Sequence, residues 1–141
     1  MRTIVFVDTD VLISSLLSST GAAFLLLNNI ESIQLFVSNF SIEETLRVAE
    51  KLEINNKETI HLLDTRLSKI ELIDNISEIK TQFSDYVTDI NDAHIVAGAN
   101  QGKVQFIITY NTKHFKSDKI KNDLDIIVTT PANILQYLRS L

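Results

Sequence analysis

Short β-branched runs separated by amphipathic stretches set the rhythm of this chain. Ile4–Val7, Ile33–Val37, Val104–Ile108 and Ile126–Val128 read as strands. Within them apolar residues do not strictly alternate with polar ones, the pattern expected of strands covered on both faces. Helical periodicity fills the intervals: Val11–Leu17, Ala22–Asn28, Ile42–Leu52, Lys57–Ile70, Ile76–Tyr86, Asp92–Gln101 and Ala132–Leu138. Strands alternating with helices in this way predict a three-layer α/β/α fold around a central, mostly parallel sheet. Glycine and proline are confined to Gly21, Gly98, Gly102 and Pro131, and no stretch reads as a linker, repeat or low-complexity tract. Residues 1–141 are therefore expected to form one domain.

Parallel sheets place their sites outside the carboxyl ends of the strands. Asp8 follows the first strand at once, and Thr109, Asn111 and Thr112 follow the third. A carboxylate at the end of a buried strand loses hydration unless a cation or hydrogen-bond donor meets it. N-capping of the next helix by Asp8 or Thr9 is the plainer reading; helix capping suffices for Asp10 but not for Asp8. Glu44 interrupts the apolar stripe Phe40, Val48, Leu52, yet Ser41-x-x-Glu44 is also a formal capping box, so both readings stand. Glu43 shares its face with Arg47 and Glu50 and is expected to be solvated. Asp92 heads a stripe of Ile95, Val96 and Ala99, with Asp89 placed to cap that helix. Three acids, each at the rim of a core-facing stripe or strand, are harder to explain separately than together.

Composition narrows the chemistry. The 45% apolar content of the 141 residues fits a filled core rather than disorder. With no cysteine, disulfide frameworks, thiolate zinc sites and a Cys nucleophile are excluded. His61, His94 and His114 lack metal-site spacing, so a metal would sit mainly in oxygen ligands, favouring Mg²⁺ or Mn²⁺. Converging acids repel unless cations neutralise them. One or two such ions would activate water and stabilise charge in phosphodiester cleavage. A net charge of −5 means that any nucleic-acid contact relies on a local patch. Lys113, His114, Lys116, Lys119 and Lys121 form the densest basic segment, and Asp118 is the one acid inside it. Lys113 and Lys116, with Thr109 and Asn111, are the candidate substrate contacts. No run approaches the ~20 apolar residues of a membrane span, and Ile4–Val7 is too short for a signal peptide; a cytoplasmic protein with no membrane partner is expected. Gly-rich phosphate loops, Gly-x-Ser-x-Gly elbows and dinucleotide fingerprints are absent.

The order of motifs resembles that of PIN domains, as found in VapC-type toxins and related bacterial ribonucleases. Val5-Phe6-Val7-Asp8-Thr9-Asp10-Val11-Leu12 resembles their opening. Val37-Ser38 with Glu44 resembles the second motif, Asn91-Asp92-Ala93-His94-Ile95-Val96-Ala97 the third, and Ile108-Thr109-Tyr110-Asn111-Thr112-Lys113-His114-Phe115 the fourth. Ile127-Val128-Thr129-Thr130-Pro131 before a last helix is also similar. The resemblance implies a central parallel sheet, Mg²⁺ or Mn²⁺ dependence, cleavage of RNA, frequent homodimers and, for toxin members, a cognate antitoxin. It implies that Asp8, Glu44 and Asp92 are catalytic metal ligands, with Asp89 as an auxiliary acid. Asn111 stands where many relatives carry a fourth acid or an Asn. Two positions depart from the family: Asp10 replaces the usual Asn or Ser, and His114 stands where some relatives place an acid. Two other readings compete. One is a PIN fold retained only for binding a partner. The other is a haloacid dehalogenase-like phosphatase with Asp8 as nucleophile, to which Asp8-Thr9-Asp10 is similar, although Leu12 and the lack of a late Gly-Asp motif do not fit. A receiver-type phosphoacceptor fits less well, because the paired acids that should precede Asp8 are missing.

Overall fold

The computed structural model describes residues 2–29 and 31–141. Its centre is strand β1 (Thr3–Val7), flanked by β2 (Ile33–Ser38) on one side and β4 (Phe106–Ile108) on the other. Strands β3 (Ser68–Ile70) and β5 (Ile127–Thr129) form the edges of a five-stranded sheet ordered β3-β2-β1-β4-β5. Every pairing is parallel.

The missing alternation in the strands has its explanation in the two cores. Val5, Val7, Leu35, Val37, Phe106 and Ile108 point into one layer, and Phe6, Phe36 and Ile107 point into the other. Helices α1 (Thr9–Leu17), α2 (Ala22–Asn29), α4 (Asn56–Thr65) and α8 (Pro131–Arg139) contribute to the first layer. Helices α5 (Ile76–Phe83), α6 (Ala93–Gly102) and α7 (Ser117–Leu124) contribute to the second. Helix α3 (Asn39–Lys51) touches both, through Ile42 and Leu46 on one side and Phe40 on the other. Among the described residues no single helix is long and apolar enough to cross a membrane.

Several boundaries differ from the sequence reading. The helix expected over Lys57–Ile70 stops at Thr65, and Ser68–Ile70 pairs with Phe36–Ser38 as an edge strand. Three residues have too little local signal to declare themselves a strand; the neighbouring strand selects that conformation. The sequence predicts no helix between its third and fourth strands, yet Ser117–Leu124, which holds Lys119 and Lys121 of the basic segment, forms helix α7. Helix α5 ends at Phe83, and Ser84–Tyr86 is a short 3-10 turn.

Helix α6 lies close against the sheet because Gly98 has no side chain. A Cβ there would stand 2.5 Å from the ring of Phe6, which is fully buried in β1 and has nowhere to move. Gly98→Ala is therefore expected to destabilise the protein by about 1–3 kcal/mol, the usual cost of overpacking. Urea unfolding would read this as a lower midpoint at unchanged slope; an unaltered midpoint would show that the helix can shift without cost.

This topology creates one crevice. After β1 the chain builds outward to β2 and β3, then returns across the sheet to start β4 on the other side of β1. The crossovers that leave the carboxyl ends of the neighbouring strands β1 and β4 thus run in opposite directions, the arrangement that opens a cleft in parallel sheets.

Candidate functional site

Asp8 leaves β1 at the mouth of that crevice. Its backbone N–H donates to Ile108 O across the strand end (2.9 Å). Contrary to the reading from sequence, Asp8 does cap the following helix: Oδ1 accepts from Thr9 N–H at 2.8 Å. Its second oxygen accepts from the Thr109 hydroxyl at 2.9 Å. Capping therefore uses one oxygen without accounting for the burial of the group, which is only 8% exposed. Burial, reinforced by the charge of Asp10, pushes the Asp8 carboxyl up to about 8.

Asp10, expected to serve as a helix cap, does not. From the first turn of α1 its Oδ2 accepts from the backbone N–H of Tyr110 (3.0 Å) and the side-chain amide of Asn111 (3.2 Å). Thr109 Oγ1 lies 3.3 Å from the same oxygen. One hydroxyl proton faces two carboxylates, and Asp8 is the nearer. Asp10 thus ties the segment after β4 to the start of α1, while its Oδ1 is buried with no hydrogen-bond partner. Burial raises its pKa above the ordinary carboxylate value.

Glu44 arrives from α3. The capping box is not formed, because Ser38, not Ser41, is the N-cap; Ser38 Oγ accepts from Ser41 N–H at 3.2 Å. That earlier start places Glu44 inside the helix, where it reaches α6: Oε2 lies 3.5 Å from His94 Nε2. The His94 imidazole holds Glu44 below its ordinary value, outweighing the opposing effect of burial. Asp92 sits at the N-cap position of α6 but makes no capping hydrogen bond. Its Oδ2 is buried and unpartnered, and the imidazole nitrogen His114 Nδ1 is 3.4 Å away without hydrogen-bond geometry. Burial first, then the charge of Asp89, raises Asp92. Asp89 is exposed and caps the 3-10 turn Ile90–Asp92 that leads into α6, accepting from Asn91 N–H at 3.0 Å.

Asp8, Asp10, Glu44, Asp89 and Asp92 line one cleft of about 520 Å³, with Asn111 and His114 at its side. The four acids singled out in the sequence converge there, and Asp10 and His114 join them. The expected substrate contacts divide. Thr109 is fully buried, and its hydroxyl donates to Asp8 instead of facing the open cleft. Lys113 and Lys116 are exposed but do not line the cleft. The α7 helix also brings acids opposite the outer lysines: Lys119 pairs with Asp123 at 3.1 Å and lies over the Tyr86 ring, and Lys121 pairs with Asp125. Asp118 is therefore not the acid that matters to this segment. His94 had no distinguishing signal beyond its place two residues after Asp92.

No Lys or Arg is among the described residues lining the cleft, so beyond the imidazoles of His94 beside Glu44 and His114 beside Asp92 its carboxylates are left to retained protons or a bound cation. Among the described residues no group of three or more acids or histidines forms a cage that could hold a metal ion. An open acidic cleft suits Mg²⁺ better than such a cage, since this ion keeps several waters and takes one or two carboxylates. The unpartnered oxygens Asp10 Oδ1 and Asp92 Oδ2, with the orphaned hydroxyl of Thr9, are donor atoms that fit a hard cation.

A family profile described as PIN domain matches residues 4–113. No curated protein matches the sequence. Among solved structures, a toxin–antitoxin complex from Klebsiella pneumoniae superposes with a TM-score of 0.62 at 24% identity, covering 90% of this chain and 97% of the other. VapBC-1 from nontypeable Haemophilus influenzae gives 0.62 at 17% identity, covering 92% and 99%. A Mycobacterium tuberculosis toxin described as cleaving the sarcin–ricin loop gives 0.52 at 16% identity, covering 73% and 86%. These likenesses are of fold.

Proposed function

The chain belongs to the PIN-domain family, and we propose that it is a divalent-metal-dependent ribonuclease acting as the toxin of a toxin–antitoxin pair. One observation carries the enzymatic part: an acidic cleft without Lys or Arg among its described lining residues, at the crevice between β1 and β4. Asp8, Glu44 and Asp92 are assigned as the catalytic ligands of Mg²⁺ or Mn²⁺, with Asp89 as an auxiliary acid. The ion would supply an activated water and neutralise charge on the phosphate. Thr109 fixes the orientation of Asp8 from below, and Asp10 draws the Tyr110–Asn111 backbone over the cleft so that Asn111 meets the substrate. The neighbour described as a toxin–antitoxin complex, with VapBC-1 beside it, supports a cognate antitoxin as partner; homodimerisation is part of the same reading.

The phosphatase reading falls with family membership. A PIN fold kept only for binding is the remaining alternative, and an intact set of acids speaks against it. Purified protein incubated with single-stranded and hairpin RNAs is expected to cleave with Mg²⁺ or Mn²⁺ and to stop in EDTA. Undiminished cleavage in EDTA would refute the metal mechanism; no cleavage of any RNA by metal-loaded protein would favour the binding module.

Substrate grip can be tested apart from cleavage. Each phosphate contact to single-stranded RNA contributes about −0.7 to the slope of log affinity against log salt. In a cleavage-deficient Asp92→Asn background, replacing Lys113 and Lys116 by Gln is expected to flatten that slope by up to about 1.4. Lys119→Gln should do less, because Asp123 already pairs with Lys119. Unchanged slope and affinity in the double variant would show that RNA approaches from another side.

A further inference from the structure

We propose that His94 is a positioning residue for Glu44, locking its carboxylate to the helix that carries Asp92; the proposal rests on the metal-dependent reading above. Glu44 belongs to a long, flexible side chain that shares its cleft with the carboxylates of Asp8, Asp10 and Asp92. Repulsion from these groups favours swinging it out toward solvent, to which its side chain is already 30% exposed. The opposing contact is His94 Nε2, 3.5 Å from Oε2.

His94 is built to be rigid. It is 5% exposed and lies in the first turn of α6, where Ala93 through Ala99 are all buried. The Phe40 ring, one helical turn before Glu44 on α3, packs against the imidazole at 6.3 Å between centroids, tilted by 54°. Nδ1 has no hydrogen-bond partner, so no other polar contact orients the ring. Nε2 is the ring nitrogen that faces the Glu44 carboxylate, at ion-pair distance, so a proton carried there has an acceptor in reach. A polar ring in an otherwise apolar helical face costs desolvation and gains no other partner. Its contact to Glu44 explains why it is there. Because Asp92 precedes His94 by two residues on the same rigid segment, the contact sets the spacing between an acid of α3 and an acid of α6. Metal-site partners of this indirect kind typically change metal affinity by about 10–100-fold when removed.

The test is Mn²⁺ binding by the full chain, followed through the electron paramagnetic resonance signal of free Mn²⁺, with circular dichroism as the check on folding. His94→Leu is expected to weaken binding about 10–100-fold. His94→Gln, whose amide nitrogen reaches about as far as Nε2, should retain most of the affinity, whereas the shorter His94→Asn should not. In a Glu44→Gln background, His94→Leu should add almost nothing, since its route of action is already cut. Unchanged Mn²⁺ affinity in His94→Leu, or an equal loss with and without Glu44→Gln, would overturn the assignment. Should His94→Leu not fold, the comparison of Gln with Asn decides: equal affinities refute the proposal. Absence of Mn²⁺ binding by the unsubstituted protein would instead refute the metal-dependent reading, and this proposal with it.

Discussion

Asp8→Asn and Asp92→Asn are each expected to lower RNA cleavage by about a thousandfold, or about 4 kcal/mol of barrier, while the protein stays folded. The two substitutions keep the shape of the side chain and remove its charge. Asn is as good a helix cap as Asp, so the Asp8 variant can keep its bond from Thr9 N–H. Asp92 makes no capping bond to lose. Glu43→Gln is the internal control, because Glu43 is exposed on the outer face of α3. Initial rates on one RNA at saturating Mn²⁺, with melting curves beside them, would measure this. Near-normal rates in Asp8→Asn or Asp92→Asn, or a dead Glu43→Gln beside an active Glu44→Gln, would break the assignment of the acids.

Without divalent metal, the folded protein is expected to lose stability as pH rises from about 4 to about 8. The sign follows from Asp8. Its carboxyl is raised from 3.8 to about 8 on folding, so between those values the folded state holds a proton that the unfolded state has released. Stability falls with pH wherever the folded state binds more protons. The favourable contribution is complete below the unfolded value and is lost as pH passes through about 8. Asp10 and Asp92, also raised, act in the same direction. Glu44, lowered by His94, acts in the opposite sense, its contribution being lost as pH falls through its folded value. Summed over the raised groups, the loss should be on the order of a few kcal/mol. Thermal melts in EDTA from pH 5 to pH 8.5 should fall by several degrees, and Asp8→Asn should flatten the profile. Added Mg²⁺ or Mn²⁺ should stabilise more at the alkaline end, where protons no longer compete for the carboxylates. A melting temperature that rises over this interval in EDTA, identically in Asp8→Asn, would show that the cleft acids are not under electrostatic strain.

The parts of the fold legible in the sequence are those encoded by near neighbours. Ile4–Val7 is apolar on both faces and ends in Asp8, so the strand, its central place and the acid at its end could be read together. Glu44 and Asp92 were visible as acids interrupting or heading apolar stripes. What stayed hidden depended on a partner remote in the chain. Ser68–Ile70 becomes a strand because Phe36–Ser38 offers it an edge. Lys119 and Lys121 lose their availability because the segment winds into a helix that sets acids beside them.

The acids show the same division within a single site. Sequence alone determined the α/β class, the chain order of the motifs and which carboxylates deserved suspicion. Tertiary structure alone decided that Asp8 both caps α1 and is pressed toward the protonated form, and that Asp10 fastens the segment after β4. It also decided that Thr109 lies underneath the acids and that His94 stands beside Glu44. The physical reason is one of range. Helix and strand propensities arise between residues a few positions apart, whereas desolvation, hydrogen-bond partners and charge repulsion act through space between groups that only folding brings together.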